Sequence, residues 1–195
     1  MDNAFLNDYT LILASGSPRR QQFFKDLDIT FEIRLKEIEE VYPSHLKRQE
    51  ITNYLAILKA NAFEKELKEK ELLITSDTIV WLNEKALGKP KDFEDAFAIL
   101  KSLSNTTHEV ITSVCFKTIH KTAVLFDVTK VTFNTLSNDA ITYYLNTYKP
   151  FDKAGAYGIQ DWIGLIGISK IEGSYANVVG LPTHLVYSYL MDFVP

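Results

Sequence analysis

Ser15, Gly16 and Ser17 stand between a short apolar run, Leu11-Ile12-Leu13-Ala14, and a proline followed by two arginines, Pro18-Arg19-Arg20. Pro18 suits the first position of a helix, where its missing N–H costs nothing, and Ser17 suits the N-cap before it. Phe23, Phe24 and Leu27 then supply an apolar helix face. The pattern reads as a buried strand, a tight turn, and a helix with two guanidiniums in its first turn. Those cations oppose the helix dipole. A bound anion relieves the conflict, and phosphate matches both the backbone N–H groups and the arginines. The competing reading is an ordinary strand–turn–helix with solvated arginines.

Asp77 follows the apolar run Leu72-Leu73-Ile74-Thr75-Ser76. A carboxylate that ends a buried strand sits at the sheet rim, where α/β folds build their sites. It can hold a divalent metal or take a proton from water; an Asp capping a turn is the plainer alternative. Glu37, Glu39 and Glu40 offer further carboxylates, though such runs are commonly solvated faces. Lys89 lies between Gly88 and Pro90, and the proline keeps its backbone extended, as suits a phosphate-binding lysine or a surface turn. The segment from Asp152 and Lys153 to Gln160 combines a charged pair, two glycines, a tyrosine and an amide. That mix suits a base pocket, with a stacking surface and one side chain that both donates and accepts, and equally a structural loop. His45, His108, His120 and His184 show no metal-ligand spacing, and Cys115 reads as a small core residue.

The elements that must carry these residues follow from periodicity. Ile29–Leu35 reads as a strand. Ile51, Leu55, Leu58 and Ala62 recur at helical spacing, so one long helix is expected over Gln49–Lys70, with Lys59 near its apolar stripe. Ile79–Leu82 continues extended into a hairpin turn at Asn83-Glu84-Lys85. Asp92 and Ser137 are expected to cap helices. Val110–Ile119 and Ala123–Leu136, rich in β-branched residues, read as two long antiparallel strands. Ile163–Ile171 reads as a strand, Gly173-Ser174-Tyr175 as a turn, and Gly180-Leu181-Pro182-Thr183 as the start of a last helix carrying Val186 and Leu190 inward. Alternating strands and helices with one inserted hairpin predict an α/β fold on a mixed sheet.

The 195 residues suit one domain, with or without two lobes. A net charge of -4 gives no global basic field for nucleic acid or an anionic membrane, so a polyanion site must be local. The lone cysteine rules out an internal disulfide and is consistent with a reducing, cytoplasmic setting. Met1 to Thr10 carries Asp2 and Asp8 and lacks the apolar core of a signal peptide. No apolar run approaches the ~20 residues of a membrane span.

Taken in order, Leu13-Ala14-Ser15-Gly16-Ser17-Pro18-Arg19-Arg20, Ile38-Glu39-Glu40, Ser76-Asp77-Thr78-Ile79-Val80, Gly88-Lys89-Pro90, Asp152-Lys153-Ala154-Gly155-Ala156-Tyr157-Gly158-Ile159-Gln160, Gly173-Ser174-Tyr175 and Asn177-Val178-Val179-Gly180-Leu181-Pro182 resemble the Maf family, the septum-formation-inhibitor-like nucleoside triphosphate pyrophosphatases. The resemblance runs from about Leu11 to Leu190. It departs at Ser76, where the family usually has Ala, and over the bulkier Trp162–Ser169.

The resemblance implies one domain over residues 1–195. Its fold would be α/β, an elongated mixed β-sheet with flanking helices and two lobes around a cleft, similar to inosine triphosphate pyrophosphatases. It implies a homodimer, a magnesium or manganese cofactor, and hydrolysis of a nucleoside triphosphate to the monophosphate and pyrophosphate in a house-cleaning role linked to septum formation. Joined to the residue reading, it makes Asp77 the proton acceptor and Glu40 with Asp77 the metal ligands. Ser15, Ser17, Arg19, Arg20, Lys59, Thr78, Lys89, Lys153 and Gln160 become the substrate-binding set, with Gln160 reading the base. Arg19, Thr78 and Gln160 are similar to the subgroup that prefers dTTP and UTP; the subgroup that prefers 7-methyl-GTP has Trp, Gln and Glu there. The alternatives are a purine-directed or 7-methyl-GTP pyrophosphatase, a non-catalytic nucleotide-binding module, and a cell-division regulator that binds nucleic acid through Arg19, Arg20, Lys89 and Lys153. The net charge of -4 argues against the last.

Overall fold

A computed structural model describes residues 8–193. The expectation about a signal peptide falls mainly on residues 1–7, which lie outside the described residues. The elements in order are β1 (Thr10–Leu13), α1 (Pro18–Asp26), β2 (Glu32–Ile33), α2 (Gln49–Asn61), β3 (Glu71–Leu82), β4 (Lys85–Leu87), α3 (Phe93–Leu103), β5 (Thr107–Lys117), β6 (Thr122–Phe133), α4 (Asn138–Tyr148), a 3-10 turn at Ala154–Ala156, α5 (Trp162–Gly167), β7 (Ile168–Glu172), α6 (Tyr175–Val179) and α7 (Thr183–Met191). The strand order is β2-β1-β3-β5-β6-β7, with β4 added to β3. β1 pairs in parallel with β2 and β3, while β4 on β3 and β7 on β6 are antiparallel. The sheet is therefore mixed, as the alternation of elements implies. Among the described residues, no helix is long and apolar enough to cross a membrane.

The chain forms two compact units. The first takes the chain up to Asp77, Thr112–Asp127 and Gly180 onward; the second takes Thr78–Ile111 and Val128–Val179. In the first unit, strand alternation sorts side chains to two faces. Leu11 and Leu13 of β1 and Leu72 and Ile74 of β3 pack with Phe24 of α1 and Val186 and Leu190 of α7. Ile12 and Leu73 face the other way, against Ala56 and Ala60 of α2. The second unit has its own core, in which Val80, Leu100, Phe133, Ile141, Tyr144, Tyr157 and Ile163 are buried together.

The hairpin turn and two helix caps form where their residues predict them. Asn83 and Glu84 take φ 48° and 61°, the left-handed pair of a two-residue hairpin turn, and Leu82 pairs with Lys85 across it. The Asp92 side chain accepts from Asp95 N at 2.8 Å and Ser137 Oγ from Ala140 N at 3.1 Å, as N-caps should.

Other elements differ from what periodicity predicts. The helix expected over Gln49–Lys70 stops at Asn61. Beyond it, Phe63 N, Glu64 N and Glu66 N bond to carbonyls three residues back, so the chain tightens into turns. Those turns carry Phe63 inward at 3% exposure, and a continued run of charged residues offered no apolar stripe to extend α2. The strand expected at Ile163–Ile171 begins as a helix, α5, because the Asp161 carbonyl accepts from Gly164 N and Leu165 N; only Ile168–Glu172 is strand. A short apolar run does not distinguish the two by periodicity. Ile29–Leu35 yields just Glu32–Ile33, both exposed. Asp77 does not end a strand: Thr78–Leu82 continues β3 without a break.

Candidate active site

β3 positions Asp77 through its alternation. Leu73, Thr75 and Asp77 share the face that meets α2. Thr75 Oγ1 donates to the Ala56 carbonyl at 2.6 Å, and one helical turn further on Lys59 Nζ reaches Asp77 Oδ1 at 2.7 Å. Two residues of strand and one turn of helix advance by comparable distances, so the two contacts stay in step. The β1 ladder on β3 ends with Leu13 opposite Ile74, and Asp77 lies three residues past it. It therefore stands beyond the carboxyl end of the parallel pair, on the side where the Ser15–Arg20 turn leaves β1.

Around it the first unit gathers three more of the expected residues, Lys59, Glu40 and Arg20. Lys59 Nζ also meets Glu40 Oε1 at 2.9 Å, so one ammonium bridges two carboxylates. The Asp77 side chain is 8% exposed and that of Glu40 40%, so one partner is buried and the other open to solvent. Burial raises the Asp77 carboxyl above its ordinary 3.8; Lys59 and Arg20 pull it down and Glu40 pushes it up. Arg20 donates through Nε to the Gly180 carbonyl at 2.8 Å and through Nη1 to the Ser76 carbonyl at 3.0 Å. Burial lowers the Arg20 pKa, and the charge of Asp77 opposes that shift. The guanidinium is thus an architectural clamp as well as a positive charge facing Asp77, which sequence reading did not anticipate.

The turn itself differs from the expectation in one detail. Ser17 occupies the N-cap of α1 with extended φ and ψ, but its side chain makes no capping bond. Buried Ser15 instead turns its Oγ to accept from Ser17 N at 3.3 Å, and its carbonyl accepts from Gln21 Nε2 at 3.0 Å. Arg19 follows, half-buried, beside Arg20.

The second unit holds the remaining set. Thr78 is half-buried, whereas Lys89 and Gln160 are exposed. Gly155, at φ +70°, donates its N–H to the Gly88 carbonyl at 3.1 Å and so ties the Lys89 loop to the Asp152–Gln160 loop. A Cβ on Gly155 would lie 2.6 Å from Val80 Cγ2, so both its conformation and its contact require glycine. Lys153 Nζ lies 2.8 Å from Asp152 Oδ1 and 4.0 Å from Asp161 Oδ2. The Gly173–Asn177 motif is structural: Ser174 N and Asn177 Nδ2 both donate to Thr129 Oγ1 of β6.

The donor set suits a hard divalent cation. Asp77 and Glu40 turn carboxylate oxygens onto one cationic nitrogen, and among the described residues no cluster of three or more His, Cys, Asp or Glu exists to form a full protein cage. Two carboxylates, completed by phosphate oxygens and water, is the usual magnesium arrangement.

These features define an α/β protein with an acid–base cluster around a buried aspartate at the carboxyl end of a parallel strand pair. A family model described as Maf-like protein matches residues 10–193, and the chain belongs to the Maf family. It is 68% identical to a protein of Flavobacterium johnsoniae named dTTP/UTP pyrophosphatase, over 97% of each chain. It is 55% identical to a protein of the same name from Christiangramia forsetii, over 97% of this chain and 96% of the other. The Staphylococcus aureus Ham1 protein matches 64% of this chain and 71% of its own, at a TM-score of 0.45 and 17% identity, a likeness too low to bear on function.

Proposed function

We propose that this chain hydrolyses dTTP and UTP to the monophosphate and pyrophosphate, with residues 1–195 acting as one pyrophosphatase domain. The observation that carries this reading is the bridge Glu40–Lys59–Asp77 beside the Arg20 guanidinium. It is supported by relatives of 68% and 55% identity that bear the name of that activity. The Ser15–Arg20 turn, with Arg19, Arg20, Lys59, Lys89 and Lys153, neutralises and orients the triphosphate. Asp77 accepts the proton of a water whose oxygen bonds to the α-phosphorus. The bond from that phosphorus to the α–β bridging oxygen breaks, and pyrophosphate carries the electron pair away. Asp77 and Glu40 would hold a magnesium or manganese ion, which would supply charge neutralisation at the phosphate oxygens and a lowered pKa for bound water. Thr78 and Gln160 face the nucleoside, and the Gln160 amide donates to one carbonyl and accepts from the imide N–H of uracil or thymine. The same reading carries a homodimer and a cytoplasmic setting; the buried, free thiol of Cys115 fits a reducing compartment.

A panel of nucleoside triphosphates with magnesium or manganese, read by pyrophosphate release, tests the proposal. UTP and dTTP should lead, ahead of GTP and 7-methyl-GTP. A lead for 7-methyl-GTP would move the chain to the other subgroup, and tight binding without turnover would make it a nucleotide-binding module.

A further inference from the structure

We propose that the Tyr144 hydroxyl, acting with Asp161, sets base selectivity by fixing the backbone on both sides of Gln160. The inference rests on the reading of Gln160 as the residue that meets the base. Tyr144 lies on the inward face of α4, with Ile141 three positions before it and Leu145 next to it, and its side chain is fully buried. Its ring fills the core of the second unit. A phenylalanine ring would fill the same space, so the hydroxyl needs its own explanation, because a buried hydroxyl costs stability unless paired.

Both of its capacities are used, and both at one place. The hydroxyl accepts from Gly158 N at 3.1 Å and donates to Asp161 Oδ2 at 2.7 Å. Asp161 N in turn donates to the Gly158 carbonyl at 3.0 Å, which closes a four-residue turn. The two residues held between these fastenings are Ile159, buried at 6%, and Gln160, exposed. The turn thus pins one side chain inward and presents the other outward. Gly158 is part of the same device: a Cβ there would lie 2.5 Å from Asp161 Oδ2, so only glycine lets the carboxylate lie over the turn. Asp161 is fixed from its far side as well, since its carbonyl accepts from Gly164 N at 2.9 Å and opens α5. An exposed amide can discriminate bases only if its backbone is held still, and here one buried hydroxyl holds both ends.

The test compares wild type with Tyr144→Phe on UTP, dTTP, GTP and a base-free triphosphate, ribose 5-triphosphate. Tyr144→Phe removes both hydrogen bonds at the hydroxyl, and a net loss of about 1.4 kcal/mol between them corresponds to roughly 10-fold. The expected result is a fall of about that size in kcat/KM for UTP and dTTP, carried mainly by KM. Ribose 5-triphosphate should stay within about twofold, so the UTP-to-GTP preference narrows. Asp161→Ala should narrow the UTP-to-GTP preference in the same way, on top of a loss common to all four substrates from removing the carboxylate beside Lys153, whereas Asp161→Asn, which keeps an accepting oxygen, should retain most of the preference. A common factor alone on all four substrates, or an unchanged UTP-to-GTP ratio in both Tyr144→Phe and Asp161→Ala, overturns the proposal. Wild type showing no preference for UTP and dTTP removes the reading of Gln160 itself, a result seen before any variant is made.

Discussion

One ammonium shared between two carboxylates decides what Asp77 can do. Lys59 sits within 2.9 Å of both Glu40 and Asp77, and Asp77 is the buried member. Asp77→Asn keeps the shape and removes the charge and the basicity. The expected outcome is a loss of at least ~10²-fold in kcat, the low end for a general base, with an unchanged circular dichroism spectrum. Near-normal turnover in the folded variant would contradict the role. At Gln160 the expectation concerns choice rather than rate. Gln160→Glu places a second acceptor opposite a pyrimidine carbonyl, and an acceptor left unmatched once the base covers it costs roughly 1–3 kcal/mol. The kcat/KM for UTP and dTTP should fall by ~10-fold or more, and that for 7-methyl-GTP should fall less or rise; one common factor on all three would exclude Gln160 as the base reader. The residue types of this site were readable from the sequence because Asp77, Arg20 and Glu40 fall in a recognisable succession of motifs, not because any one setting is specific. The partnerships were not. Lys59 joins Asp77 across 18 positions and Arg20 joins the Gly180 carbonyl across 160, distances no local pattern encodes. Tyr144 left no chemical signal because its spacing is that of any core residue on a helix.

At the scale of elements, the apolar run that opens β3 and the capping residues Asp92 and Ser137 were legible because each rests on residues within a few positions. The end of α2 and the helical start at Trp162 were not, since tertiary packing of Phe63 and Ile163 outweighed periodicity. The start of β3 carries its own testable feature. Arg34 grips Glu71 through both guanidinium arms, at 2.9 and 2.5 Å, and Lys68 N donates to the same carboxylate at 2.9 Å. Arg34 holds the Glu71 carboxyl below its ordinary 4.5. The native state therefore binds the proton less readily than the unfolded chain, so the stabilisation is complete above that ordinary value and drains as pH falls through the lowered one. Glu71→Gln should cost about 1–2 kcal/mol at pH 7, since the pair is only partly screened. It should also flatten the decline of unfolding free energy below pH ~4.5. Denaturant titrations at stepped pH check this; acid limbs that run parallel in wild type and variant would contradict it.

At the scale of the whole molecule, the order of motifs along the chain was the strongest sequence signal, stronger than any one of them. Single settings such as Gly88-Lys89-Pro90 or Ser15-Gly16-Ser17 recur in unrelated turns; their succession over 195 residues does not. What the succession did not reveal is which compact unit each residue belongs to. Arg20, Glu40, Lys59 and Asp77 belong to one compact unit, and Thr78, Lys89, Lys153 and Gln160 to the other, with the boundary falling between Asp77 and Thr78 inside β3. A net charge of -4 leaves polyanion binding to these local clusters, so affinity for bulk nucleic acid should be negligible at physiological salt. In the proposed reaction, water attacks the α-phosphorus of a pyrimidine nucleoside triphosphate. Hydrolysis of UTP in 18O-labelled water, with magnesium and mass analysis of the products, tests it most directly. The expected result is one labelled oxygen in UMP and none in pyrophosphate. Label in pyrophosphate or in orthophosphate, or UDP as the nucleotide product, would contradict it.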